Sequence, residues 1–373
     1  MTRILLTGDV LRPQDDAFRP AQDGNILWLH RLLRRPVSAA TGLDVVPLTW
    51  GGGFDTRLFY ELAGVAPDIE GWAALFDAPD LPRDAAALLA ASFDGAAAVI
   101  GFELAGLQKR LLTRLGIPWI DLNIHPVRFG PDVLFAVQTD HPEVLDALRR
   151  HHAEDHLFEP WADLMAATAI KMPPTRPVTE RCLVIGQTRV DRALIADGRL
   201  VDLRDFARPL HAAIGRDGPV LFKPHPYNPD GFGLHDIGLP LRRIREAAEN
   251  VYILLAQDSV QRVVGVSSSV VAEARFFGKE GLFLGTPPFQ VAPTRDALAP
   301  GMHASVVDAW LSADFWRDLL APLVAVTPRD GRRVALGPDA LRNSLRQYWG
   351  RDEIAFQLPF DLAQRRAAER DGA

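Results

Sequence analysis

The sequence predicts an α/β protein of two domains, each built on a parallel β-sheet, with a cleft between them. Two observations predict this class. Short apolar runs alternate with helical patterns in both halves of the 373-residue chain, as in parallel βαβ units. A proline-rich segment without periodicity, residues 171–177, separates the halves and is typical of an extended linker.

The pattern places the elements as follows. In the first half, strands are predicted at 3–7, 44–48, 97–101 and 119–124, and helices at 26–33 and 104–115. In the second half, strands are predicted at 182–185, 220–223, 251–255, 262–266 and 281–284, with helices at 268–277 and 338–348. The predicted units are a first domain at 1–170, a linker at 171–178, a second domain at 179–340 and a helical tail at 341–373.

Composition narrows the class of protein. The chain is 48% hydrophobic and 24% charged, which excludes a disordered protein, and its net charge of -6 argues against a nucleic-acid binder. The lone Cys182 cannot form an intrachain disulfide, so a reducing cytoplasm is the expected location. The first residues predict no signal peptide, and no apolar run approaches the roughly 18 residues of a spanning helix.

The sequence is also compatible with peripheral attachment to a membrane. Arg31, Arg34 and Arg35 near Trp28 and Leu29 form a small basic amphipathic helix pattern. An ordinary solvated helix face explains the same pattern.

Ligands of α/β sheets bind at the carboxyl ends of the strands, so polar residues that follow predicted strands are the site candidates. Gly186-Gln187 and Asp191 follow the strand at 182–185. The glycine permits a tight turn that presents Asp191 to the cleft. The alternative is a turn followed by a helix-capping aspartate.

The second candidate is Lys223-Pro224-His225-Pro226, directly after the strand at 220–223. Two flanking prolines hold the histidine extended, which suits binding of a phosphate or a carboxylate. Lys223 adds a positive charge. The alternative is a histidine that orders a buried loop.

The third candidate is the hydroxyl cluster Ser267-Ser268-Ser269, between a strand and a helix. The free N–H groups of such a helix start form an anion site, so a nucleotide phosphate is expected there, and simple N-capping is compatible with it. Glu273, one turn into the helix, is expected either to reach a ribose or to act as a capping partner.

The first half carries His125, Arg128 and Asp132 on one loop after the strand at 119–124. Arg128 suits a bidentate pair with a substrate carboxylate, and the alternative is an ion pair with Asp132. Glu103 follows the strand at 97–101 and is either a cleft carboxylate or a helix-start glutamate.

Several catalytic signatures are absent from the sequence. It has no Walker A pattern, no Gly-x-Gly-x-x-Gly after a strand and no Cys/His spacing that suggests zinc. A serine-nucleophile elbow is also absent.

The set Gly186-Gln187, Asp191, Lys223-Pro224-His225-Pro226 and Ser267–Ser269 with Gly278-Lys279 resembles the bacterial Kdo transferases. Glu103 and residues 125–129 are similar to the stand-alone, retaining β-Kdo transferases of O-antigen assembly. The His-Pro and Ser-Ser pair is shared with polysialyltransferases and other CMP-sugar enzymes. The resemblance implies a GT-B fold of two Rossmann-like domains, with the second binding CMP-Kdo as a co-substrate and with no metal or other cofactor.

The same resemblance implies roles for the residues. Asp191 would be the nucleophile of a double displacement that retains the β-configuration, and His225 would stabilise the leaving CMP. Glu103 would be the base for the acceptor hydroxyl, and Arg128 or Lys223 would hold the Kdo carboxylate. The implied donor-binding residues are Gln187, Lys223, Pro226, Ser267, Ser268, Ser269, Glu273, Arg128 and His125.

The implied partners are CMP-Kdo and a glycan acceptor of lipopolysaccharide O-antigen or capsule, and no nucleic acid. A lipid-linked acceptor would place the enzyme at the cytoplasmic face of the inner membrane. The alternatives are a transferase of another CMP-linked sugar such as a sialic acid, a transferase with a glycerophosphate donor, a GT-B nucleotide-sugar epimerase, or an inactive scaffold protein.

Overall fold

The computed structural model describes residues 2–13, 22–172, 174–215, 218–225, 228, 234–287, 289–329, 331 and 336–345. Its strands are β1 (Arg3–Gly8), β2 (Val45–Pro47), β3 (Ala96–Phe102), β4 (Trp119–Ile124), β5 (Phe135–Thr139), β6 (Cys182–Ile185), β7 (Ile195–Ala196), β8 (Arg199–Leu200), β9 (Val220–Lys223), β10 (Ile244–Glu246), β11 (Arg262–Gly265), β12 (Glu280–Phe283) and β13 (Ala304–Val306). Its α-helices are α1 (Gln22–Thr41), α2 (Thr56–Ala63), α3 (Ile69–Phe76), α4 (Arg83–Ala91), α5 (Gly106–Arg114), α6 (Pro142–His151), α7 (Glu159–Ile170), α8 (Ala207–Ile214), α9 (Val251–Leu255), α10 (Ser269–Glu273), α11 (Ala313–Leu320) and α12 (Ala340–Leu345).

The first sheet has the strand order β13–β5–β4–β3–β1–β2. Strands β2, β1, β3 and β4 run parallel, and β5 and β13 pair antiparallel at one edge. The chain lays β2 on one side of β1 and β3 on the other. The carboxyl ends of β1 and β3 therefore form a topological switch point, where α/β sheets bind their ligands.

The second sheet has the order β10–β9–β6–β11–β12, and all of its pairs are parallel. Its switch point lies between β6 and β11, in the order typical of a Rossmann sheet. Cys182 is a buried thiol on β6. The predicted α/β class with two Rossmann-like sheets is confirmed, and this topology is consistent with the predicted GT-B fold.

One predicted strand is wrong. Residues 251–255 form the helix α9, whose first N–H groups are capped by Asn250, which accepts a hydrogen bond from Tyr252 N at 2.9 Å. A short run of apolar residues that is buried all round has no periodicity that separates a strand from a helix. The second sheet has β10 in place of the predicted strand at 251–255. This edge strand lies in a polar stretch, where Arg245 pairs with Glu180 at 2.6 Å.

Each half of the chain contributes one segment that packs with the other half. Helix α7 precedes the linker, yet Phe158, Ala162 and Met165 lie in the same apolar cluster as Val263 of the second sheet. Conversely, β13 comes from within residues 179–340 and pairs with β5 of the first sheet. The two sheets are thus held together by more than the linker.

Phe129 provides the main aromatic contact between the halves. Its ring meets Tyr252, Phe276 and Phe277 in edge-on geometry, with centroid separations of 6.2, 5.6 and 5.5 Å. Such edge-to-face contacts of buried rings stabilise beyond their buried area. The loop that follows β4 is therefore anchored in the second core.

No α-helix within the described ranges has both the length and the apolar character to cross a bilayer. The basic pattern of α1 also has an ordinary explanation. Leu29 is fully buried in the first core, and Trp28 donates from Nε1 to Ser344 Oγ at 2.8 Å. The apolar side of this helix packs on the protein itself.

The Phe129 contact predicts a measurable loss of stability. We expect Phe129→Ala to lower the free energy of unfolding by about 3–5 kcal/mol, because it leaves a cavity among three rings. Chemical denaturation measures this change. Leu115→Ala, at a side chain 43% exposed, is the control and should change it by less than about 0.5 kcal/mol. An equal effect of both variants would contradict the anchoring role.

Candidate functional site

The two switch points define the candidate site. At the first, Asp9 follows β1 and Glu103 follows β3. At the second, Gly186-Gln187 follows β6 and Ser267 comes shortly after β11. Side chains from the segment 187–192 and from the loop after β4 lie between them, as the contacts below establish.

Gly186 allows the ends of β6 and β9 to approach each other. Its N–H donates to Lys223 O at 2.8 Å, and a Cβ at this position would lie 2.9 Å from His225 N and 3.1 Å from Lys223 O. His225 O in turn accepts from Asn228 N at 2.9 Å. The glycine thus brings the backbone at His225 to the second switch point, whereas Pro226 lies outside the described residues.

Lys223 is oriented along the sheet. Its Nζ donates to Ala248 O at 3.2 Å, on the side of β10. This contact draws the ammonium group away from β6 and β11.

The serine turn faces Gln187. With its amide oxygen directed at the turn, Gln187 accepts from Ser267 N and Ser268 N, each at 3.1 Å. Ser268 caps α10 by accepting from Val270 N, so the N-capping interpretation is confirmed, and Ser269 is the first helical residue. The Ser267 hydroxyl is buried and has no hydrogen-bond partner among the described residues. The N–H groups predicted to bind an anion are thus covered by a neutral amide oxygen.

Glu273 joins the two halves. Its Oε1 accepts from Arg128 N at 2.6 Å and from Tyr252 OH at 3.0 Å, and its Oε2 is buried with no hydrogen-bond partner among the described residues. Burial raises the pKa of Glu273 to about 7, although these hydrogen bonds and the Arg128 charge act to lower it. The carboxylate thus contacts the loop after β4, and a role toward a ribose stays a prediction.

Arg128 is surrounded by acidic groups. Burial lowers the pKa of its guanidinium, and the carboxylates of Glu273, Glu103 and Asp191 oppose that shift by their charge. The charges of four predicted site residues from four separate segments, Glu103, Arg128, Asp191 and Glu273, therefore act on one another. Asp132, by contrast, caps α12 by accepting from Leu341 N and Arg342 N, each at 2.9 Å.

Asp191 lies at the start of a single 3₁₀ turn in the segment after β6. Its Oδ1 accepts from Ala193 N at 3.0 Å, so the capping interpretation is confirmed for this oxygen. A short β7–β8 hairpin follows and packs on α3 through Gly198. This anchoring holds the Asp191 segment against the first half of the molecule.

Glu103 has a strained backbone. Its φ is +56°, in the left-handed region that residues other than glycine rarely adopt. The strand β4 holds it there, because Glu103 N donates to Leu122 O at 3.0 Å. Strain of this kind clusters at functional sites, and α5 begins only at Gly106, so Glu103 is not a helix-start residue.

His125 lies in the core and not at the cleft. Its Nδ1 accepts from Val127 N at 3.0 Å, so Nε2 carries the proton and donates to Ser305 Oγ at 2.9 Å. Burial lowers the pKa of His125 well below its usual range, which keeps the ring neutral. Its observed contacts order the loop that carries Arg128.

Two site residues escaped the sequence prediction. Asp9 is buried and accepts from Trp72 Nε1 at 2.8 Å and Leu11 N at 3.0 Å, and burial raises its pKa to about 6. Arg192 crosses to the first half, where its Nη2 donates to Asn123 Oδ1. The position of Asp9 after the first strand was a usable signal. No comparable signal in the sequence pointed to Arg192, because Asn123, the residue it contacts, lies in the other half of the chain.

A cavity of about 290 Å³ lies beside the site, between α10 and the segment 287–291. Its walls are mainly apolar: Val127, Val271, Phe276, Phe283, Phe289 and Val291, with Arg275 and Gln290 as polar members. None of the predicted donor-binding residues lines it.

No family model matches the chain, and no curated protein matches it. Among solved structures, the chain is similar to a Thermosulfurimonas dismutans KpsC described as a beta Kdo 2,4 transferase, with 17% identity, a TM-score of 0.36 and coverage of 61% of this chain and 80% of that one. It is also similar to KpsC of the same organism described as a beta Kdo 2,7 transferase, with 12% identity, a TM-score of 0.40 and coverage of 92% and 97%. Identities and TM-scores this low carry no functional assignment.

Gly186→Ala tests the close approach at the second switch point. The added methyl meets only backbone atoms, so β6 and β9 must separate, and we expect a loss of about 1–3 kcal/mol in unfolding free energy and a shifted His225 resonance in NMR spectra. Gly24→Ala is the control, because nothing lies within 4 Å of a Cβ there. Unchanged stability and spectrum in Gly186→Ala would contradict the crowding.

Glu273→Gln tests the buried carboxylate. A carboxyl group whose folded pKa is raised from 4.5 to about 7 costs stability as pH rises through that window, because the unfolded chain releases its proton first. The variant lacks this penalty. We expect wild-type stability to fall relative to Glu273→Gln by on the order of 3 kcal/mol between pH 4.5 and 7.5.

The measurement is denaturant unfolding of both proteins across this pH range. Glu61→Gln, at an exposed side chain of α2, is the control and should follow the wild type. Parallel pH profiles of the wild type and Glu273→Gln would show that the carboxylate is not destabilised by burial.

Proposed function

We propose that the protein is a glycosyltransferase that transfers a sugar from a CMP-linked donor to a glycan acceptor, with CMP-β-Kdo as the donor. The observation that carries the proposal is that the charges of Asp191 and Glu103 act on the buried Arg128 guanidinium, while Gln187, in the same segment as Asp191, contacts the serine turn. A cleft of this kind offers N–H groups for a phosphate and carboxylates for chemistry at a sugar. The motifs at 186–191, 223–226 and 267–269 add support through their resemblance to Kdo transferases.

The donor phosphate would bind at the second switch point. The N–H groups of Ser267 and Ser268 would exchange the Gln187 oxygen for a phosphate oxygen, and the orphaned Ser267 hydroxyl would donate to it. His225, whose backbone lies close to Gly186, would donate to the same phosphate. Donors placed in advance stabilise the charge of the leaving CMP without a metal.

The chemistry would be a double displacement. The Asp191 carboxylate attacks the anomeric carbon while the bond to the phosphate oxygen breaks, and the electron pair leaves with CMP. The acceptor hydroxyl then attacks the same carbon, its proton passes to Glu103, and Asp191 is released as a carboxylate. Two inversions retain the β-configuration.

The acceptor would belong to lipopolysaccharide O-antigen or capsule synthesis. Its sugar would enter from the first sheet, where the strained Glu103 is presented. An acceptor carried on a lipid would bring this enzyme to the cytoplasmic face of the inner membrane.

Asp191→Ala tests the nucleophile. We expect CMP release from CMP-Kdo in the presence of acceptor glycans to fall by roughly three orders of magnitude or more, because the covalent step is lost. Binding of CMP should stay within about threefold of the wild type, since the phosphate site does not need this carboxylate. Asp163→Ala, at an exposed residue of α7, is the control.

Assays of the wild type with CMP-sialic acid and UDP-GlcNAc identify the donor class. Turnover of UDP-GlcNAc without use of any CMP-sugar would favour an epimerase and overturn the proposal. Full transfer activity of Asp191→Ala would remove Asp191 from the nucleophile role.

A further inference from the structure

Arg192 reaches across the cleft. It belongs to the segment after β6, yet its Nη2 donates to Asn123 Oδ1 at 2.5 Å, and its Nε lies 3.8 Å from Glu103 Oε2. Its guanidinium also stacks over Phe289, with 5.2 Å between the guanidinium carbon and the ring centroid. The side chain is 16% exposed. It is thus held in place while part of it still faces solvent.

The guanidinium retains binding capacity. An arginine offers five N–H donors in a planar fork, and the contact with Asn123 uses one of them. The 3.8 Å separation from Glu103 is too long for a hydrogen bond. Within the described part of the chain, Arg192 makes no other hydrogen bond to a side chain. The guanidinium also lies over the face of Phe289, and its planar fork suits a bidentate oxyanion.

The other cations of the region are engaged differently. Lys109 Nζ forms an ion pair with Asp121 at 2.6 Å, and Lys223 Nζ contacts Ala248 O. Arg128 has the carboxylates of Glu273, Glu103 and Asp191 around it. The charge of Arg192 likewise acts on Asp9 and Asp121. What distinguishes it from Lys223 and Arg128, the two residues predicted from the sequence, is its place over Phe289 and next to Asp191 in the chain.

We infer that Arg192 binds the carboxylate of an anionic sugar substrate and selects sugar acids over neutral sugars. This inference rests on the proposed function. In a 2-keto sugar acid the carboxyl carbon is bonded to the anomeric carbon, so its counter-charge must lie beside the nucleophile. Arg192 is the chain neighbour of Asp191, with about 3.8 Å between their Cα atoms. Its charge would offset the repulsion between the substrate carboxylate and Asp191.

The test compares Arg192→Gln, Arg192→Lys and the control Arg114→Gln, an exposed arginine of α5 that pairs with Asp80. KM and kcat are measured with CMP-Kdo, and dissociation constants with CMP and with free Kdo. We expect Arg192→Gln to weaken free Kdo binding and raise KM by roughly 10- to 100-fold, which is the usual loss for a charge-assisted hydrogen bond. CMP affinity should change by less than about twofold.

Arg192→Lys should recover only part of the lost affinity, because an ammonium group cannot form the bidentate fork. Wild-type binding of free Kdo should also exceed that of its methyl ester by at least about tenfold. The control should match the wild type in every measurement.

Three outcomes overturn the inference. Wild-type KM and Kdo affinity in Arg192→Gln would show that the arginine does not contact the sugar. Loss of CMP affinity with free Kdo binding unchanged would assign it to the phosphate instead. Equal binding of Kdo and its methyl ester would show that no carboxylate is recognised.

Failure of the proposed function would give a different experimental result from failure of this inference. In that case the wild type itself does not turn over CMP-Kdo, whatever residue occupies position 192. Binding of free Kdo would still report on the anion site by itself.

Discussion

The buried Glu273 carboxylate holds the loop after β4 against the second half of the molecule. It accepts the N–H of Arg128 and the hydroxyl of Tyr252, while Phe129 fills the adjoining aromatic cluster. A carboxylate without solvent is costly, and burial raises its pKa to about 7. The hydrogen bonds offset part of that cost. The position of Arg128, and with it the charge balance of the cleft, follows from this contact.

The rest of the site follows from topology. Each sheet has one point where the chain reverses its direction of strand addition, and polar residues follow the strands at both points. The segment after β6 then carries Asp191 and Arg192 to the first half, where the β7–β8 hairpin rests on α3. Residues distant in sequence thereby share one cleft. The antiparallel β13 and helix α7 cross between the halves and stabilise this arrangement.

The cleft contains both acidic and basic side chains, and its two arginines differ in the groups that surround them. The charges of three carboxylates act on Arg128. Arg192 lies over the Phe289 ring, and its Nε is 3.8 Å from Glu103 Oε2. On the opposite side, Gln187 covers the serine N–H groups with a neutral oxygen. A dianionic nucleotide sugar would replace weak neutral contacts with charge-assisted ones, which are about twice as strong. Under the proposed function, an anionic donor would bind without an excess of positive charge on the protein.

The order of apolar runs and turns by itself determined the α/β class, eight of the thirteen described strands and the segments that carry the site, but it missed β5, β7, β8, β10 and β13. It could not separate the buried helix α9 from a strand, because a fully buried run has no periodicity. Nor could it place His125 in the core or bring Arg192 to Glu103. Those assignments depend on contacts between distant segments. Only the tertiary structure decides them, since burial and pairing belong to the folded arrangement and not to local residue order.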